Sequence, residues 1–146
     1  MKRKSSVTEW SISGPKAAKV IGITYRQIDH WDTTKLVQPS ITEAEGSGTR
    51  RQYSYSDLMD LMVVKTLADF GVGFDLVRKI IKKVGGTFLR ADHHWMLSIT
   101  PTQVKVVDIT EIKDLLAQEI LVMVPLVSLR EKLANKLADE WRNGDR

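Results

Sequence analysis

The sequence predicts an α+β protein with two parts, a mainly helical first half and a second half in which strands and helices alternate. Capping motifs and glycine stops mark four short helices between residues 13 and 84. A glycine-rich turn between two strand-like segments interrupts these helices at residues 37–55. After Gly85 and Gly86 the apolar pattern changes and predicts a small ββαβα module.

Charge is distributed unevenly along the 146 residues. Residues 1–84 contain 14 Lys and Arg against 9 Asp and Glu, whereas the remaining residues contain 8 against 9. A basic half favours a polyanionic partner, because cations near phosphates gain electrostatic energy and release condensed counterions. The hydrophobic content of 42% is sufficient for a folded core.

Composition also excludes several classes of protein. The chain has no cysteine, which excludes disulfides, thiolate metal ligands and cysteine nucleophiles. The basic start, Met1–Lys4, is followed by polar residues rather than by the apolar run of a secretion signal. The longest apolar run, residues 120–127, is shorter than the roughly 20 residues that a membrane span needs. We therefore expect a soluble, cytoplasmic protein without a membrane partner.

Two helices are predicted at the start of the first half. Pro15 suits a first helical turn, and Gly22 ends that helix. Thr24 and Gln27 then form a capping box, so a second helix begins at Thr24. Two short helices joined by such a tight turn are typical of a helix-turn-helix, whose second helix enters the major groove of DNA. An ordinary helical hairpin is the alternative.

A β-hairpin is predicted for residues 37–55. It consists of a short strand, a glycine-rich turn and an alternating strand. In the returning strand two adjacent arginines are interleaved with Tyr53 and Tyr55, which places charge on one face and anchoring aromatic rings on the other. We interpret the hairpin as a wing that contacts DNA, and a merely solvated hairpin is the alternative.

Two further helices complete a winged helix-turn-helix domain at residues 10–84. Ser54 or Ser56 caps the first of them, and Gly71 ends it. The second runs from about Phe74 to Val84 and has a basic face that is more typical of solvation than of binding. That face consists of Arg78, Lys79, Lys82 and Lys83.

The module at residues 87–146 is predicted to serve dimerisation or ligand sensing. It begins with a hairpin, residues 95–107, followed by a helix that Asp108 and Glu111 cap and that carries apolar residues at positions 112, 115 and 116. About 55 residues of this kind bury little core alone, so the module should dock on the first domain or dimerise.

The last strand and the last helix of this module have distinct patterns. Ile120–Leu126 is almost entirely apolar, which predicts a strand that lies centrally in its sheet or at a subunit interface and that ends at Pro125. Ser128 and Glu131 form a capping box for the final helix. One apolar stripe follows that helix, at Leu129, Leu133, Leu137 and Trp141.

Four linked motifs occur in a fixed order in the first half: Gly22–Trp31, Leu36–Val37, Gly46–Ser54 and Asp57–Leu58. Together they resemble the MerR family, especially actinobacterial members with a serine-rich, glycine-containing wing. The resemblance covers roughly residues 10–84. It implies a bacterial transcriptional regulator that binds DNA as a dimer, distorts promoter DNA and makes contact with RNA polymerase.

The resemblance assigns roles by position. The second helix of the motif is the recognition helix, which would begin with Thr24, Tyr25 and Arg26 and carry the aromatic pair His30 and Trp31. The Arg-x-Tyr element of the wing matches Arg51 and Tyr53.

Two departures from the family pattern limit what is carried over. The arginine that commonly precedes the aromatic pair is Asp29 in this chain, and a carboxylate cannot contact a phosphate favourably. Downstream, where typical members have a long dimerising helix leading to an effector site, this chain turns into strands. The effector and coiled-coil features of the family are therefore not transferred.

The predicted DNA-contacting residues lie on the two helices and the wing: Lys16, Lys19, Thr24, Tyr25, Arg26, His30, Arg50, Arg51 and Tyr53. Arg26 is the preferred base reader, because its fork can bond guanine O6 and N7 together; a phosphate contact is the alternative. The wing arginines should contact the backbone or the minor groove. For Lys16 and Lys19 simple solvation is the alternative.

No catalytic, cofactor or metal site is predicted. Asp92, His93 and His94 are adjacent in a linker and lack the spacing that directs two imidazoles at one ion. The leading hypothesis is a non-enzymatic transcriptional regulator that binds an inverted repeat in double-stranded DNA as a homodimer. An architectural or recombination-directing DNA-binding protein and a regulator with a small-molecule-sensing second half are the alternatives.

Overall fold

The computed structural model of the chain describes residues 10–43, 50–90, 95–111, 113 and 122–144. The first half contains β1 (Ser11–Ile12), α1 (Gly14–Ile21), α2 (Tyr25–Thr33), β2 (Ile41–Glu43), β3 (Arg50–Ser54), α3 (Tyr55–Phe70) and α4 (Phe74–Val84). The second half contains β4 (Trp95–Ile99), β5 (Val104–Asp108), β6 (Val122–Pro125) and α5 (Leu126–Gly144). The predicted α+β class is confirmed.

The turn between α1 and α2 forms as predicted. Gly22 ends α1 in a left-handed conformation, with a φ of 88°, and its N–H donates to the Ala18 carbonyl at 2.9 Å. The Thr24 hydroxyl accepts from the Gln27 N–H at 3.0 Å, and the Gln27 side-chain oxygen accepts from the Thr24 N–H at 2.9 Å. These reciprocal bonds satisfy amides that a bare helix end leaves unpaired, and they fix where α2 begins.

The central strand of the first sheet is β3, which pairs antiparallel with β1 on one side and with β2 on the other. The sequence did not predict β1, because two residues are too few for a periodic pattern. The strand predicted from residue 37 begins only at Ile41. Before it, Leu36 and Val37 are buried in the core, and both donate their N–H groups to the Trp31 carbonyl, at 2.8 and 3.3 Å.

Asp57 joins the segment before the wing to the start of α3. Its buried carboxylate accepts hydrogen bonds from the Ser40 N–H at 2.8 Å, the Ser40 hydroxyl at 2.7 Å and the Ser54 N–H at 2.8 Å. In return the Ser54 hydroxyl accepts from the Asp57 N–H at 3.1 Å, so Ser54 is the cap of α3. Leaving such buried donors unpaired costs about 1–3 kcal/mol each, and the network therefore holds β3 against the helices.

The second sheet has the order β5-β4-β6, with every described pair antiparallel. Within the described strands β4 is central and β6 lies at the edge, so the first of the two positions predicted for residues 120–126 is wrong there, and the other, a subunit interface, stays a prediction. Pro125 ends β6, as predicted. Ser128 does not cap the last helix, because α5 already begins at Leu126, directly after Pro125.

Other predicted features fall partly or wholly outside the described residues. The helix expected around residues 112–116 and the segment Asp92–His94 belong to this group. Asp108 precedes a short 3-10 helix, Ile109–Glu111, and its carboxylate accepts from the N–H and the hydroxyl of Thr110, both at 2.8 Å. None of the helices in the described ranges is long and apolar enough to cross a membrane.

The second half packs directly on the helices of the first. α5 lies against α1 and α3, and α4 lies against β5. The predicted stripe of α5 is buried at Leu129 and Leu133, half-buried at Leu137 and exposed at Trp141. Buried residues of both halves form one continuous hydrophobic cluster, so α5 and the helix-turn-helix share a packed core.

Asp60 on α3 holds the linker between the halves. Its carboxylate accepts a hydrogen bond from the Gly86 N–H at 2.9 Å, and Gly86 adopts a left-handed φ of 82°. Burial raises the pKa of Asp60 to about 6; the Gly86 hydrogen bond opposes this effect, and the charge of Asp57 adds to it. The charged carboxylate is therefore less favourable in the folded chain than in the unfolded chain.

We expect Asp60 to make the folded chain more stable as pH falls from 7 to 5. The pKa of this group rises from 3.8 in the unfolded chain to about 6 in the folded chain, so the folded state binds more protons in this window. Asp60→Asn keeps an acceptor for Gly86 and should remove this contribution, which is on the order of 1 kcal/mol between pH 7 and pH 5. Urea unfolding at pH 5 and pH 7 measures it. An identical pH dependence in both proteins would contradict the assignment.

Candidate nucleic-acid interface

The two sides of α2 are sharply different. Ile28 and Trp31 are 1% and 4% exposed and face the core. The opposite side is exposed and consists of Tyr25, Arg26, Gln27, Asp29, His30 and Thr33. This division follows the helical period, since Ile28 and Trp31 are three residues apart and anchor one side. α2 thus presents a polar face that the rest of the fold leaves uncovered.

The first turn of α2 lies beside the start of α1. The Tyr25 side chain is 57% exposed, and its ring lies over Gly14, where an added Cβ would come within 3.4 Å of the ring. The Thr24 hydroxyl accepts from the Gln27 N–H, which leaves its own O–H available as a donor. Arg26, next in sequence, has an exposed side chain.

A cleft of about 400 Å³ separates α2 from the wing. On the α2 side it is lined by Tyr25, Asp29 and Asp32, and on the wing side by Arg51. The exposed Arg51 guanidinium donates to the Pro39 carbonyl at 3.3 Å, which holds it near this cleft. The structure thus brings Tyr25 and Arg51, two of the predicted contacts, to the same side of the molecule.

A second cleft, of about 480 Å³, lies between α2 and α4. It is lined by Arg26, Gln27, His30, Trp31, Phe74 and Arg78. The rings of Trp31 and Phe74 lie 6.2 Å apart in a tilted arrangement, and the Arg78 guanidinium donates to the Thr34 carbonyl at 2.9 Å. Arg26 and Arg78 therefore make this cleft cationic, and His30 lies beside them.

Sequence reasoning missed the role of Arg78, which it assigned to a solvated face with three lysines. In the structure Arg78 differs from the lysines, because its guanidinium donates to the Thr34 carbonyl at the end of α2. Nothing in the local pattern distinguished this arginine from its neighbours, since the contact joins residues 44 positions apart.

Tyr53 of the wing strand is buried in the core. It is 3% exposed, and burial, together with the negative charge of Asp32, raises the pKa of its phenol far above the ordinary value. The Tyr53 side chain packs in the core and also lines the cleft that contains Tyr25 and Arg51, and the predicted DNA contact at Tyr53 stays a prediction. The expected division of the strand into a charged and an aromatic face does not explain this position, because Arg51 and Tyr53 are two residues apart on one strand and Tyr55 already belongs to α3.

The three other predicted DNA-contacting cations, Lys16, Lys19 and Arg50, differ in their surroundings. Lys16 is exposed on α1. Lys19 is also exposed, but its Nζ lies 3.5 Å from Glu140 on α5, so part of its charge is directed to the second half. Arg50 lies in β3, opposite Glu43, and its side chain and residues 44–49 are outside the described part of the wing.

A metal site requires a specific arrangement of ligating side chains. Among the residues described there, no group of three or more His, Cys, Asp or Glu side chains is arranged to hold a metal ion. The exposed α2 face carries one arginine, an imidazole, an amide, hydroxyls and one carboxylate, and most of these groups can donate hydrogen bonds to a polyanion.

Comparison with known proteins agrees with this geometry. Residues 13–84 match the family described as MerR HTH family regulatory protein. Over 65 residues the chain is 49% identical to proteins described as uncharacterized HTH-type transcriptional regulators in Mycobacterium bovis and in Mycobacterium tuberculosis. The match covers 44% of this chain and only 29% of each relative, so the chain spans less than a third of their length.

The resemblance noted in Gly22–Trp31 and in the wing is thereby confirmed, and the matched residues coincide with α1 to α4. Residues 13–84 of this chain form a helix-turn-helix domain of the MerR family of regulatory proteins.

Proposed function

We propose that the protein is a sequence-specific DNA-binding transcriptional regulator that reads the major groove with α2. The observation that carries this proposal is the position of Arg26 and Arg51. Arg26 is exposed on the uncovered face of α2, and Arg51 is exposed across the cleft on the wing. Two cations so placed can engage the same stretch of duplex, one in the groove and one beside it.

The dimensions of α2 suit this role. An α-helix with its side chains is about 10–12 Å across, and the major groove of B-DNA is about 12 Å wide. Arg26 lies in the first turn of α2, the part that penetrates deepest in helix-turn-helix proteins. Its guanidinium can donate to guanine O6 and N7 together, which discriminates against other bases by about 1–3 kcal/mol.

Arg51, Lys16 and Thr24 suit contacts to the sugar-phosphate backbone. All three have exposed side chains at the edge of the α2 face or on the adjoining elements. Backbone contacts fix the register of a protein on DNA but carry little sequence information. Each cation placed near a phosphate adds a counterion-release contribution, so binding should weaken steeply with salt.

The proposal predicts different effects for Arg26→Ala and Arg51→Ala. Loss of Arg26 should reduce discrimination at one base pair by about 1–3 kcal/mol. Loss of Arg51 should weaken binding to all sequences alike and reduce the slope of log affinity against log salt by about 1. Fluorescence anisotropy with a selected duplex and its point variants, over a range of salt, measures both quantities.

Lys132→Ala is the control, because Lys132 is an exposed cation on α5 that lines neither the α2 clefts nor the apolar groove at the end of α5. It should leave affinity and salt slope unchanged. Binding that is insensitive to salt and to Arg26→Ala would refute the proposal.

We further propose that the regulator acts as a homodimer on an inverted repeat. Support comes from an apolar groove of about 320 Å³ at the end of α5, lined by Trp10, Tyr55, Leu137, Ala138 and Trp141. Trp141 is 57% exposed there, and large aromatic side chains are typical centres of protein interfaces. A two-fold dimer carries two copies of α2 related by symmetry, and binding to an inverted repeat requires that both copies enter successive major grooves.

Trp141→Glu tests the dimer. A charge at the centre of the apolar groove should abolish self-association without unfolding the chain, since the side chain is already largely exposed. Multi-angle light scattering of the full chain should give about twice the monomer mass for the natural protein and the monomer mass for the variant. Equal masses for the two proteins would exclude this face as the interface. Glu131→Gln, also exposed on α5, is the control.

A regulator of this kind would be located at the nucleoid, because its partner is chromosomal DNA. Cooperative binding to phased direct repeats, with no effect on transcription, would instead favour an architectural or recombination-directing role.

A further inference from the structure

Asp29 is the one carboxylate on the uncovered face of α2 that the fold leaves without a bonded partner among the described residues. No hydrogen bond or ion pair joins it to another described side chain or backbone group. Three aspartates elsewhere in the chain are engaged, since Asp57 caps α3, Asp60 holds Gly86, and Asp139 pairs with Arg142. Asp32 lines the same cleft as Asp29 and likewise has no bonded carboxylate partner among the described residues, but it is half-buried, whereas Asp29 is exposed. Asp29 therefore has no structural contact that explains it.

A free carboxylate is costly on a surface that meets phosphates. Like charges repel at every register along a duplex, so Asp29 should lower affinity for DNA unless it finds a hydrogen-bond donor there. In the major groove the donors are the exocyclic amino groups, N4–H of cytosine and N6–H of adenine. A carboxylate accepts from these groups but cannot donate, and it gains nothing from guanine or thymine.

Helical geometry places Asp29 beside Arg26. Three residues along a helix correspond to a rise of about 4.5 Å and a lateral offset of about 60°. Successive base pairs of DNA are separated by about 3.4 Å, so the two side chains reach neighbouring base pairs. The offset carries Asp29 toward the wing, since it lines the cleft that also contains Arg51.

We propose that Asp29 is a specificity-determining residue that accepts a hydrogen bond from an exocyclic amino group, with cytosine preferred, at a base pair next to the one that Arg26 contacts. This inference rests on the proposed function, since it requires α2 to lie in the major groove. Arg26 reads one base pair through favourable hydrogen bonds, and Asp29 adds discrimination at the neighbouring base pair, because a wrong base there leaves its carboxylate desolvated without a donor.

The test compares the natural chain with Asp29→Ala and Asp29→Asn, each at full length, by selection from a randomised duplex library. Asp29→Ala should lose the preference at one base pair, by roughly 5- to 150-fold, and should bind unrelated DNA more tightly. Asp29→Asn should shift the selected base at the same position toward adenine, because a carboxamide hydrogen-bonds to adenine N6 and N7 together. Glu131→Gln, which removes an exposed charge from α5, should change neither quantity.

Each other outcome overturns the inference. If Asp29→Ala and Arg26→Ala lose their preference at the same base pair and at no other, Asp29 only positions Arg26. If both Asp29 variants select the natural motif unchanged, Asp29 does not touch the bases. If the natural chain selects no motif at all, the proposed function itself is wrong. This result differs from a failure of the Asp29 inference alone, in which the natural chain selects a motif and the variants do not change it.

Discussion

Burial of Ile28 and Trp31 is the constraint on which the rest of the structure depends. These side chains, 1% and 4% exposed, fix the rotation of α2 about its own axis. Once they face the core, the helical period directs Arg26, Asp29 and His30 away from it. The Thr24 and Gln27 capping box sets where the helix begins, so both the rotation and the start of α2 are determined by local residues. The orientation of the site therefore follows from packing and from the local cap.

Two further elements hold the surroundings of α2 in place. The Asp57 carboxylate ties Ser40 and Ser54 together, which keeps the wing strand β3 at a fixed distance from the helices. On the other side α5 packs on α1 and α3, and Lys19 of α1 lies 3.5 Å from Glu140. A partner bound to α5 would thus act on the helix-turn-helix through a packed interface rather than through a loose linker.

Local chemistry made most of the first half predictable. Gly22, Ser54 and Gly71 delimit helices through capping and left-handed turns, which depend on neighbouring residues alone. Features that depend on distant residues were not predictable. The edge position of β6, the burial of Tyr53 and the bond from Arg78 to Thr34 each depend on how elements meet in space. At Pro125 the fixed φ and missing N–H of proline allow α5 to begin at once, which overrode the cap expected at Ser128.

The central claim is that the outward face of α2, together with Arg51, meets DNA. Nuclear magnetic resonance titration of the isotope-labelled full chain with a half-site duplex tests this most directly. We expect the amide and guanidinium signals of Tyr25–Thr33 and of Arg51 to shift, while those of α5 and of the β4–β6 sheet stay in place. Shifts confined to α5 or to that sheet, with α2 unaffected, would contradict the account.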